Sequence, residues 1–167
     1  MELRERKPLR LEEYDYDCPG RYFITVCTKE RHQILWEPCR LSEMRVGADA
    51  LIGPQIRLSE IGTVVQKIIE SMENVEKYVI MPNHIHMILR IDQSEQGPMG
   101  ASAPTKKVPM TIRYLKRAVT RECGFSIWQR SYHDHIIRSE TDYLRIWEYI
   151  DTNPAKWRED RYYEEGL

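Results

Sequence analysis

The chain has 167 residues, 41% apolar and 31% charged, with a formal net charge of −1. Its size and balance are those of one soluble domain spanning 1–167, with its core at about 21–157, and near-neutrality argues against an indiscriminate binder of polyanions. No run approaches the roughly 20 apolar residues of a membrane span, and Cys18, Cys27, Cys39 and Cys123 lack CxxC spacing, which argues against a zinc ribbon or disulfide framework and for a reducing cytoplasm.

The charged N-terminal segment does not read as a signal peptide. "RYFITVCTK" (21–29) is β-branched, aromatic and apolar at nearly every position, the pattern of a central strand. Residues 32–57, with Pro38, Gly47, Gly53 and Pro54, read as an irregular insertion. Ile61, Val64, Val65, Ile68, Ile69 and Met72 then fall on one helical stripe behind Ser59, a suitable N-cap. "VEKYVIM" and "HIHMILRI" read as strands joined tightly at Pro82 and Asn83. A loop rich in Gly, Ser and Pro follows over 92–109. A second helix, from about Thr111 to Glu122, buries Ile112, Leu115 and Val119 and leaves Arg113, Lys116, Arg117 and Arg121 on its other side. "SIWQRSYHDHIIR" supplies a fourth strand, and a third helix opens on the capping-box pattern of Ser139 and Asp142 and ends near Asn153 and Pro154.

The order β-α-β-β-α-β is that of an α+β, ferredoxin-like antiparallel sheet with two helices on one face. The additional C-terminal helix is free to cover part of the other. Charge is segregated along the chain: between 105 and 138 eight Lys or Arg stand against Glu122 and Asp134, whereas from 139 onward eight acids stand against four bases. A polyanionic partner is therefore expected on the first of these segments.

Alternation along "HIHMILRI" divides the strand into an apolar face, Ile85, Met87, Leu89 and Ile91, and a second face of His84, His86, Ile88 and Arg90. Strand residues two apart lie about 6.6 Å from one another on one face, so two imidazoles there can converge on one metal ion. A packing role is the alternative. Three enzyme classes use comparable spacings. HIT-type nucleotide hydrolases require HxHxH, which Ile88 breaks. Two-histidine phosphoesterases require separated H-x-Ser/Thr motifs, which neither HxH offers. HUH endonucleases pair histidine-hydrophobe-histidine on a strand with a nucleophilic tyrosine on a helix.

A helix presents a nucleophile and a ligand together when they are one turn apart. Of ten tyrosines, Tyr149 has Asn153 at the fourth following position, and Tyr14 has Cys18 but no helix to carry it. Tyr149 lies off the apolar stripe of Tyr143, Ile146, Trp147 and Ile150, on a polar edge with Asp142, Arg145 and Asn153.

With these residues in view, "YVIMPNHIHMIL" and "WQRSYHDHIIRSETDYLRIWEYIDTNPAKW" resemble the REP-associated tyrosine transposases, within the single-strand HUH transposase class. The resemblance runs from about Arg21 to Trp157. It implies His84 and His86 as metal ligands, Tyr149 as nucleophile and Asn153 as third ligand, the four residues the spacing selects. It carries over His135, read as packing or support for the site, and leaves His133 as surface.

The chemistry so implied is single-stranded DNA cleavage and strand transfer with a divalent ion, Mg²⁺ or Mn²⁺, through a 5′-phosphotyrosine. The partner is single-stranded DNA, displayed beside a hairpin or palindromic repeat as the resemblance implies. Lys106, Lys107, Arg113, Lys116, Arg117 and Arg121 form the expected phosphate track. A homodimer, with Tyr149 serving either its own metal site or a partner's, is compatible with this reading. The alternative function is a non-cleaving single-strand or hairpin DNA-binding module derived from a transposase.

Overall fold

The computed structural model describes residues 19–37, 57–92 and 107–163. Most of the expected insertion, the loop before the second helix, and Lys106 with it, lie outside the described residues. The elements are β1 (Gly20–Cys27), α1 (Glu60–Glu70), β2 (Val75–Ile80), β3 (His84–Ile91), α2 (Lys107–Cys123), β4 (His133–Ile137) and α3 (Glu140–Thr152). The strands form one antiparallel sheet in the order β2-β3-β1-β4. This is the expected ferredoxin-like arrangement with its additional helix.

β1 and β3 lie at the centre, and their register decides which side chains share a face. Tyr22, Ile24 and Val26 pair with Leu89, Met87 and Ile85. All six are fully buried, under Val65 and Ile69 of α1 and Ile112, Leu115 and Val119 of α2. Each such side chain contributes about 1.5–3 kcal/mol by leaving water. α1 starts where the Ser59 hydroxyl accepts from Gly62 N–H at 3.0 Å. A Cβ at Gly62 would fall 2.0 Å from the Leu35 carbonyl oxygen, so the close approach of helix and loop needs glycine.

The opposite face pairs Phe23 with Ile88, Thr25 with His86 and Cys27 with His84. α3 covers it by setting Ile146 and Ile150 against Ile88, flanked by Tyr143 and Trp147. Lys77 ties β2 to α3, 2.5 Å from the Asp151 carboxylate with its ammonium over the Trp147 ring.

Three boundaries differ from expectation. β1 stops at Cys27, and Lys29–Arg31 form a single 3₁₀ turn in which Glu30 and Arg31 are left-handed. α2 begins at Lys107, because Pro109 sits in its first turn, where a missing N–H costs nothing. The fourth strand shrinks to His133–Ile137. Trp128 makes only an isolated bridge to Thr28, and the carbonyls of Gln129, Arg130 and Ser131 turn toward the Lys116 ammonium at 2.8, 3.2 and 3.0 Å.

Candidate active site

The tight turn before β3 sets the first histidine. Thr28 donates its N–H to the Asn83 carbonyl at 2.9 Å, and its hydroxyl, 3.0 Å from the same oxygen, is shared with the His32 carbonyl at 2.8 Å. The Asn83 amide Nδ2 donates to the Tyr162 carbonyl at 2.8 Å, which leaves Oδ1 to accept from His84 Nδ1 at 2.8 Å. With its proton on Nδ1, His84 offers a bare Nε2 lone pair to the site. His86 is held from the neighbouring strand, its Nδ1 lying 2.8 Å from Thr25 Oγ1. The two Nε2 atoms meet at 3.0 Å.

Both imidazoles are buried. Burial, reinforced by the Arg31 charge, lowers the His84 pKa to about 3. Burial and the His84 charge hold His86 well below its ordinary value. Both are therefore neutral near pH 7, the state in which imidazole ligates a metal.

α3 brings Tyr149 over this pair. Its Oη lies 3.3 Å from His86 Nε2 and donates to Asp160 Oδ2 at 3.0 Å. The ring stands edge-on to Phe23, which in turn stacks on His86. Burial raises the phenol pKa above its ordinary value, and the Asp160 charge and hydrogen bond raise it further, while Asn153 pulls it down. The hydroxyl is thus a protonated donor until something offsets that charge.

Asn153 caps α3, its N–H bonded to the Tyr149 carbonyl, which sets the two residues one turn apart. Its side chain is buried, and Nδ2 finds no hydrogen-bond partner among the described residues. Turned about its last bond, the amide would present its oxygen there instead. Asp160 completes the group. Its Oδ1 accepts from Tyr162 N–H at 2.7 Å, and a carboxylate oxygen lies within 4.8 Å of both histidine nitrogens. Two neutral imidazoles, a carboxylate and an unpartnered buried amide form a donor set that fits a divalent cation.

The fold therefore gathers His84, His86, Tyr149 and Asn153 at one point, and adds Asp160, Thr25, Asn83 and Tyr162, which the sequence reading does not single out. Thr25 is the one polar residue within "FITVC", a signal once the register with His86 is known. Asp160 and Tyr162 lie beyond Trp157 in a charged stretch without periodicity, which carries no such signal.

The residues of the expected phosphate track are not part of this group. α2 packs on the sheet face opposite the histidines, with Arg113, Arg117 and Arg121 exposed. Lys107 donates to the Asp92 carbonyl at 2.7 Å. Lys116 is half-buried and spends its ammonium on the three carbonyls named above; burial lowers its pKa to about 8. His133 falls in one row with Thr25 and His86 across three strands. His135 Nε2 lies 2.7 Å from Asp142 Oδ2, joining β4 to the first turn of α3. No helix among the described residues is long and apolar enough to cross a membrane.

No protein-family model matches the chain. An uncharacterized protein of Haemophilus influenzae is 32% identical over 183 residues, spanning 96% of this chain and 94% of that protein. A REP-associated tyrosine transposase of Escherichia coli K12 is 28% identical over 83 residues, 49% of this chain and 44% of the transposase. In three dimensions the chain shares its fold with a REP-associated tyrosine transposase solved with a REP hairpin, at TM-score 0.54 and 21% identity, covering 89% of this chain and 73% of that one.

Proposed function

This chain is a relative of the REP-associated tyrosine transposases, and from that premise and the geometry of its site we propose a metal-dependent single-stranded DNA endonuclease and strand transferase. The observation that carries the proposal is that His86 Nε2 lies within hydrogen-bond distance of both His84 Nε2 and Tyr149 Oη. His84 and His86, with an oxygen from Asn153 or Asp160, would hold the cation, Mg²⁺ or Mn²⁺. When bound, such an ion offsets the charge of the phosphate and of a nearby phenolate.

The protein's own groups do the rest. Tyr149 Oη attacks phosphorus, the bond from phosphorus to the 3′-oxygen breaks, and the departing 3′-oxygen takes a proton from solvent, so the products are a 5′-phosphotyrosine and a free 3′-hydroxyl. The phenol proton leaves toward Asp160 Oδ2, the acceptor it already faces. The new phosphoester retains the energy of the old one, so a second 3′-hydroxyl can reverse the step and complete strand transfer. Tyr149 is 37% exposed, enough for a flexible single strand to reach its oxygen. A substrate displayed beside a hairpin is the reading favoured by the DNA in the structural relative.

Nicking of end-labelled single-stranded hairpin DNA in Mn²⁺ is the test. Wild type should cleave. His84→Ala, which leaves the apolar face of β3 untouched, should lose both cleavage and Mn²⁺ binding. Cleavage at the wild-type rate by that variant would remove the metal assignment, and binding without cleavage by wild type would favour a non-cleaving hairpin-binding module.

A further inference from the structure

Tyr162 is nearly fully buried and packs against both histidines, with ring centroids 4.6 Å from His84 and 6.0 Å from His86. Two guanidinium groups lie over the same ring, Arg161 at 5.0 Å and Arg31 at 5.3 Å from its centroid. His133 borders it at 6.5 Å. The three come from separate places in the chain: the turn after β1, the first residue of β4, and the segment beyond the 3₁₀ helix Asn153–Glu159. The geometry points to a phosphate-binding cradle, formed by Arg161 and Arg31 across Tyr162 with His133 at its edge, that takes a phosphodiester of the single strand beside the metal ligands.

Charge supports this reading. Arg31 and Arg161 both act on His133, Arg31 acts on His84 and Arg161 on His86, so their fields converge on the site. The acids that face the patch are Asp160, whose two oxygens already accept from Tyr149 and from Tyr162 N–H, and Asp134, which acts on His133. Arg161 has no carboxylate at ion-pair distance among the described residues and is exposed beside the Tyr162 ring. A guanidinium fork suits the paired oxygens of a phosphate.

The backbone supports it independently. Glu30 and Arg31 are consecutive non-glycine residues at φ 51° and 55°, a conformation that persists only where surrounding contacts enforce it and that gathers at ligand clamps. The contacts here are Lys29 N–H to the Ile127 carbonyl at 2.8 Å, Arg31 N–H to the Thr28 carbonyl at 3.2 Å and His32 N–H to the Lys29 carbonyl at 3.1 Å. In this turn the Arg31 guanidinium lies over Tyr162.

The cradle rests on the proposed function, which supplies the phosphodiester. Its test is fluorescence anisotropy with a labelled oligothymidylate across a range of NaCl concentrations, without divalent metal, beside Mn²⁺ binding read by electron paramagnetic resonance. Arg161→Gln should weaken oligonucleotide binding on the order of tenfold, the loss of one charge-assisted contact. It should also flatten the slope of log affinity against log salt by about 0.7, the share of one phosphate on a single strand. Arg31→Gln should do the same, Arg161→Lys should keep the slope, and Mn²⁺ affinity should hold in all three. Unchanged affinity and slope in Arg161→Gln would overturn the cradle while leaving the endonuclease reading standing. So would a fall in Mn²⁺ affinity, which would make the arginines props for Tyr162 and His84. Failure of wild type to bind the oligonucleotide at all would overturn both.

Discussion

Replacing Ile150 with Ala tests how the nucleophile is seated. The described contacts give α3 one small apolar seat on the sheet, Ile146 and Ile150 against Ile88, all three at most 5% exposed. Removing a buried Ile side chain to Ala costs about 2–5 kcal/mol. Phe23 and Trp147 beside the gap are only partly buried and can settle into it, which favours the lower half of that range. For a chain of this length roughly 3 kcal/mol corresponds to a fall of roughly 6–12 °C in Tm. The larger core, on the other face of β1 and β3, is untouched. His84 and His86 therefore keep their places, while Tyr149 loses the footing that holds its oxygen at 3.3 Å from His86. Scanning calorimetry, Mn²⁺ titration and the nicking assay on one preparation should show a lower Tm and a cleavage rate that falls far more than metal affinity. An unchanged Tm, or cleavage lost only in proportion to bound Mn²⁺, would refute this account of how α3 is held.

Thr25→Val keeps the shape of the side chain but removes the hydroxyl 2.8 Å from His86 Nδ1. Partners of ligating histidines are worth about 10–100-fold in metal affinity, so isothermal titration should show a loss of that order, and none would mean that packing alone orients His86. Lys116→Met should cost about 1–3 kcal/mol in urea denaturation, because three carbonyls lose their shared donor. Its effect on the salt dependence of oligonucleotide binding should be small beside that of Arg113→Gln with Arg117→Gln, and the reverse pattern would return Lys116 to the DNA track.

Much of the sheet was legible because alternation along β3 separates Ile85, Met87 and Leu89 from His84 and His86 whatever the partner strands are. The same holds for the link between Tyr149 and Asn153, which depends only on helical pitch. What the sequence does not disclose depends on contacts between distant segments. Thr25 becomes a partner of His86 only through a register linking residues 61 positions apart. Asp160 reaches the site as the residue that ends the 3₁₀ helix Asn153–Glu159, and no periodicity in "REDRYY" announces it. Lys116 reads as one of four basic residues on a helix face; its burial follows from the bend at 129–132, which a strand pattern in "SIWQRSYHDHIIR" conceals.

The most direct test of the central claim is whether Tyr149 becomes covalently joined to DNA. Wild type and Tyr149→Phe should each be incubated with labelled single-stranded hairpin DNA and Mn²⁺, denatured, and resolved by electrophoresis. Phe keeps the ring beside Phe23 and His86 and removes the one atom assigned to attack phosphorus. The account predicts labelled DNA migrating with wild-type protein and none with Tyr149→Phe, whose Mn²⁺ affinity is retained. An adduct on Tyr149→Phe, or none on wild type, would contradict it.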